Sequence, residues 1–178
     1  MITTAILVAA GLGLAAFLFY VVRGSTAAKG TLEEVGTVTR PVDLLAFQNL
    51  VDPAEDELLR CSLPPPVFRR VQRERLRAAI GYVEQGAANA AVLLRIGEAM
   101  GHEDPAVAAI GREMVNAALR LRVYALLVVM ILHLRVWIPS VGAPVHEVST
   151  RYEELRNQFA RLARTRRPAD AGHLLAAL

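Results

Sequence analysis

The hydrophobic pattern changes character several times along the chain. Ile2 to Val22 is an unbroken run of 21 positions without a charged side chain. At about 1.5 Å per residue, a helix of that length reaches about 30 Å, the thickness of a bilayer's hydrocarbon core. Tyr20 stands near one end, where its hydroxyl reaches the headgroups, and Arg23 stops the run. The pattern predicts a single N-terminal transmembrane helix that makes residues 1–23 an anchor. A secretory signal peptide is the competing reading. Such a peptide has an apolar stretch of about 7–15 residues behind a basic segment, and here the stretch is longer and no Lys or Arg precedes it. Arg23 and Lys29 follow the run, so the positive-inside rule places the N-terminus outside and the rest of the chain in the cytoplasm.

Residues 24–41 carry Gly, Ser, Thr and Ala with little apolar periodicity and read as a juxtamembrane linker. From 42 to 166 the pattern predicts one helical bundle, followed by a tail over 167–178. Asp52-Pro53 is a helix start, with Asp as cap and Pro at the first helical position. It separates two expected short helices, Val42–Val51 and Pro53–Ser62. Pro64-Pro65-Pro66 ends this part, because consecutive prolines remove backbone donors. No proline then interrupts the chain from Pro66 to Met100, nor from Pro105 to Ile138. Between them lie Gly101, able to close a helix, and a second Asp-Pro start at Asp104-Pro105. The expected fold class is all-α, a transmembrane helix followed by a bundle built on a long antiparallel helical hairpin.

A turn centred between His102 and Glu103 sets Asn89 beside Asn116, Glu84 near Arg120, and Arg95 within one turn of Glu113. Asn89 and Asn116 also open two similar strings, NAAVLLR and NAALRLR. An Asn–Asn hydrogen bond between the arms would fix their register, as buried asparagines do in coiled coils; the alternative is that both face water. Ala79, Gly86 and Ala90 lie at helical spacing and offer a small-residue seam. Gly86 and Gly97 each cost a helix about 1 kcal/mol relative to Ala, so tight packing is the expected offset.

In the second arm, Val123–Leu132 is apolar on every face. Ten residues span only about 15 Å, too short to cross a bilayer, and extension would take in His133 and Arg135. The stretch reads as the central core helix, covered on all sides by other helices or by a second copy; re-entry into the membrane is the alternative. The last helix is clearly amphipathic. Val145, Val148, Tyr152, Leu155, Phe159 and Leu162 follow 3-4 spacing, with charged residues on the other faces. Leu155 and Phe159 mark a stripe that packs on its own chain or on a partner.

Composition narrows the functions available. Of 178 residues, 54% are hydrophobic and 21% charged, and a mean hydropathy of +0.35 excludes a disordered chain. The single cysteine, Cys61, excludes a disulfide framework and reads as a half-buried structural thiol. Net charge is +3, with two basic clusters: Arg69, Arg70, Arg73, Arg75 and Arg77, then Arg161, Arg164, Arg166 and Arg167. Such clusters suit anionic lipid headgroups. The plainer reading pairs the first cluster with Glu55, Asp56 and Glu57 just before it. Nucleic acid is disfavoured, because no aromatic residues interleave with the arginines and no binding module is present. His102, His133, His146 and His173 have no helical partner for a metal, and no phosphate loop, nucleophile elbow or dinucleotide fingerprint occurs. The expectation is a non-enzymatic, membrane-anchored helical scaffold or adaptor that binds a protein partner or a second copy, without cofactor, metal or small-molecule substrate. An anionic-lipid-binding peripheral domain is the alternative.

Overall fold

Two aspartates begin the described part of the bundle. The Asp43 side chain accepts from Ala46 N at 2.9 Å and opens α2, Leu44–Val51; Asp52 accepts from Ala54 N at 2.9 Å and opens α3, Pro53–Ser62. Both satisfy amides that a helix start leaves without partners. A four-residue helix, α1 (Val35–Val38), precedes them. The prolines end α3 and start α4, which runs 35 residues from Pro65 to Ala99. A 3-10 turn, Met100–His102, follows, and Asp104 caps α5 (Pro105–Trp137) by accepting from Ala106 N at 2.9 Å. The chain closes with α6, Val145–Arg166, and α7, Ala171–Ala176. The computed structural model describes residues 31–178 apart from 33–34, 103, 138–144 and 167. The described residues are all-helical, with no strand among them. The transmembrane helix expected over Ile2–Val22 lies outside the described residues.

The two long arms form the antiparallel hairpin, and α6 lies along α5. In the groove between α4 and α6 sits α2, while α3 packs on α4 and α7 joins α6 to α1. The core holds Leu93, Leu94 and Ile96 from α4, Met114, Leu121, Val128 and Leu132 from α5, and Leu155, Phe159 and Leu162 from α6, all 1% exposed or less.

Hairpin register differs from the expected one. A Cβ on Gly97 would stand 2.8 Å from the Gly111 carbonyl oxygen, and one on Gly111 would stand 2.9 Å from that of Gly97. The backbones therefore touch where these glycines cross, and any side chain there would force them apart. Farther along, Arg122 Nη1 donates to the Ala87 carbonyl at 2.9 Å. Both contacts place the turn's centre at Asp104, about three residues from the expected pairing, because the first arm continues through the 3-10 turn before the chain reverses.

Two segments read as accessory are packed into the bundle. Within the expected linker, Leu32, Val35 and Thr39 are buried, and the single proton of the Thr39 hydroxyl is shared between the carbonyls of Val35 and Ala177. In the expected tail, Ala171, Leu174 and Leu178 are buried. Apolar residues spaced for a short amphipathic turn found a surface to cover, which periodicity over so few positions does not reveal.

Among the described residues one helix, Pro105–Arg135, is long and apolar enough to cross a membrane, with a mean hydropathy of 1.9. It forms the second arm of the hairpin, whereas the span expected from the sequence, at the N-terminus, lies outside the described residues.

Candidate functional site

The centre of the bundle is a polar clasp around Asn89. This side chain is 1% exposed and uses both ends of its amide. Its Nδ2 donates to the Arg40 carbonyl at 2.7 Å and to the Tyr152 hydroxyl at 2.9 Å. Its Oδ1 accepts from Arg40 N at 3.2 Å and Gln85 Nε2 at 3.1 Å. Tyr152 in turn donates to the Leu178 carbonyl, which also accepts from Val42 N at 3.0 Å. An asparagine amide offers two donors and two acceptor positions, so Asn89 is saturated. The clasp thus ties the segment before α2 and the chain's last residues to α4 and α6.

The expected Asn89–Asn116 bond does not form. Asn116 is exposed on α5, and the shifted register carries it away from Asn89. Of the residues in the other expected inter-arm pairs, Arg95 bonds Glu98 at 3.0 Å and Glu113 bonds Arg161 of α6 at 3.2 Å. Gly86 faces α6, where a Cβ would touch the Tyr152 ring at 3.4 Å. Leu155 and Phe159 are buried within the chain, 1% and 0% exposed, so their stripe offers no surface to a partner.

Burial pushes the Tyr152 phenol above its ordinary value; the Asn89 hydrogen bond and the Arg156 charge pull it part of the way back. The neutral phenol is the form that donates to Leu178, so the fold favours the protonated state.

The basic clusters divide. Arg75 is only 16% exposed and pairs with Glu55 at 2.9 Å and Asp56 at 3.6 Å, while its Nη2 donates to the Asn49 carbonyl at 2.7 Å. It is a clamp between helices rather than a lipid contact, because its guanidinium is committed to internal acceptors. Asp56 also holds Arg135 of α5 at 3.2 Å, so one carboxylate joins α3 to both long arms. Arg77 pairs with Glu74 at 2.8 Å, whereas Arg69, Arg70 and Arg73 stay exposed. Arg70, Arg73 and Arg77 line a groove of about 380 Å³ with Glu74 and Pro66. Arg164 and Arg166 are exposed at the end of α6, and Arg167 lies outside the described residues.

A second depression of about 380 Å³ opens between α2 and α6; its one carboxylate, Asp52, already caps α3. Cys61 is exposed, not half-buried, because α3 buries none of its residues. His133 Nδ1 lies 2.8 Å from the Val129 carbonyl, and no group of three or more metal-ligating side chains occurs among the described residues.

The surface that sequence reasoning missed is on α5. Val128 and Leu132 are fully buried, but Val123, Leu127, Met130 and Leu134 are 52%, 47%, 56% and 51% exposed. The expected cover on all sides is therefore incomplete: α4 and α6 take the other faces and leave this stripe in 4-3-4 spacing open. Uniform apolarity hides such a stripe, since no polar residue marks where the cover ends. Gly111 and the Asp56 junction were also missed; the two interior glycines equidistant from Asp104 are the signal that would have given the register. The sequence matches no protein-family model, and neither curated proteins nor solved structures give a match.

Proposed function

We propose that the chain is a non-enzymatic scaffold or adaptor, held at a membrane by Ile2–Val22 and presenting its helical bundle in the cytoplasm for assembly with a protein partner or a second copy. The observation that carries this reading is the run of 21 uncharged residues ahead of a helical bundle whose central buried amide, Asn89, is saturated by internal hydrogen bonds. The alternative span, α5, is less well suited. In the observed register, α4 sets exposed Glu74, Arg77 and Glu84 beside its apolar half, and such charges are costly in lipid. Orientation follows from Arg23 and Lys29 after the run.

Alkaline extraction of membranes tests the anchor. The full chain is expected to stay with the lipid and a chain lacking residues 2–22 to be released; release of the full chain overturns the reading. Cys61, the sole cysteine and exposed, reports orientation. An impermeant maleimide should label it only once the cytoplasmic face is opened. Crosslinking in intact membranes then identifies what the bundle holds.

A second reading is favoured by the groove of Arg70, Arg73 and Arg77. Arg70 and Arg73, the two arginines of the groove without a carboxylate partner among the described residues, suit an anionic headgroup, each contributing about 1 kcal/mol near an anionic leaflet. Reversing Arg70 and Arg73 to Glu should then lower binding to anionic vesicles without altering stability.

A further inference from the structure

The open stripe of α5 carries two kinds of information. Val123, Leu127, Met130 and Leu134 form a single apolar line about 17 Å long. At the end of that line nearer the hairpin turn, Asn116, Arg120 and Arg112 continue the same face, all exposed. Arg112 and Arg120 take no part in the ion pairs among the described residues. The only acidic residue of α5, Glu113, is paired with Arg161. The exposed residues of α5 itself are therefore apolar over one half and cationic over the other, with no free carboxylate of their own; exposed Glu84 on α4 flanks the apolar half. Near the level of Leu134 the neighbouring arm adds exposed Arg70 and Arg73, and Glu74, which is paired with Arg77.

We infer that this face of α5 docks on the surface of an anionic bilayer, with the Val123–Leu134 line at the headgroup–acyl boundary and Arg112 and Arg120 against lipid phosphates. Charge complementarity selects this occupant, because basic residues flanking an apolar face are drawn to anionic lipid. Area argues against a second copy. Four half-exposed side chains offer on the order of 300 Å², and two such faces fall short of the roughly 1,000 Å² of a stable protein interface. A parallel pair would also bring Arg120 against its own copy. The inference builds on the anchored reading: ten residues from Arg23 to Leu32 reach at most about 35 Å, so the bundle stays within reach of the lipid.

The test uses the full chain in vesicles, with Cys61→Ser and an environment-sensitive fluorophore on Leu127→Cys. Leu45→Cys is the control site; it is exposed on α2, which lies between α4 and α6, away from the open face of α5. With vesicles rich in phosphatidylglycerol, the label at 127 is expected to shift to the blue and be quenched by a lipid-borne quencher, while the label at 45 stays in water. Phosphatidylcholine vesicles should give little of the shift. So should about 1 M salt, where the screening length falls to about 3 Å, and so should Arg112→Glu with Arg120→Glu. A label at 127 that stays in water overturns the inference. So does crosslinking of position 127 to its own copy or to residues 2–22, which would name another occupant. Alkaline extraction of the same vesicles reports the anchor separately, so a retained protein with a wet label loses the docking and keeps the anchor.

Discussion

Asn89 makes four hydrogen bonds through one amide, and three of them reach other parts of the chain. Replacing it with Leu removes the buried bond to the Tyr152 hydroxyl and strands the partly buried Arg40 backbone pair, with about 1–3 kcal/mol for a buried group left without a partner. Urea unfolding should therefore show a loss of about 3 kcal/mol for Asn89→Leu. Asn116→Ala, at an exposed site, should stay within about 0.5 kcal/mol of the parent. Equal losses at the two sites would point back to the pairing the sequence suggested. Glycines make a similar contrast. Gly81 has open space around it in α4, so Gly81→Ala should raise stability by about 0.5–1 kcal/mol through helix propensity. At Gly97 the new methyl meets backbone at 2.8 Å, and Gly97→Ala should cost about 1–3 kcal/mol, the usual range for overpacking.

At the scale of elements, starts were legible and pairings were not. Asp52-Pro53 and Asp104-Pro105 announce α3 and α5 because cap chemistry is local, involving one side chain and an amide two residues on. The hairpin register depends on how closely two backbones approach, and only the Gly97–Gly111 crossing decides that. Helix α3 shows what local signals leave out. It buries none of its residues, so its attachment depends on polar links, chiefly Glu55 and Asp56 to Arg75 and Asp56 to Arg135. Asp56→Ala should lower global stability by on the order of 2 kcal/mol, less than a fully buried pair because these groups keep some solvent. It should also raise hydrogen exchange selectively across Pro53–Ser62. Unchanged exchange in that helix would mean that the ion pairs do not hold it.

For the whole molecule, Tyr152 links the interior to pH. Its folded value lies above the ordinary phenol value near 10, mainly because it is buried. A raised value means that the folded state binds the proton more tightly than the unfolded chain. The stabilisation is complete below about pH 10 and is lost as pH rises toward the folded value. The parent should therefore lose stability more steeply than Tyr152→Phe as pH rises above the ordinary phenol value near 10, read as urea midpoints along the titration. Parallel curves would remove the phenol from the balance. By itself the sequence determined the all-helical class, the two long arms, the aspartate caps of α3 and α5 and the amphipathic α6, because these follow from proline placement, side-chain capping and 3.6-residue periodicity. Only the tertiary structure decided that Asn89 clasps Arg40 and Tyr152, that residues near 35 and 174 belong to the bundle, and that α5 keeps one face open. Each of these depends on which surfaces, distant in sequence, come close enough to exclude water, and a pattern along one chain carries no record of that proximity.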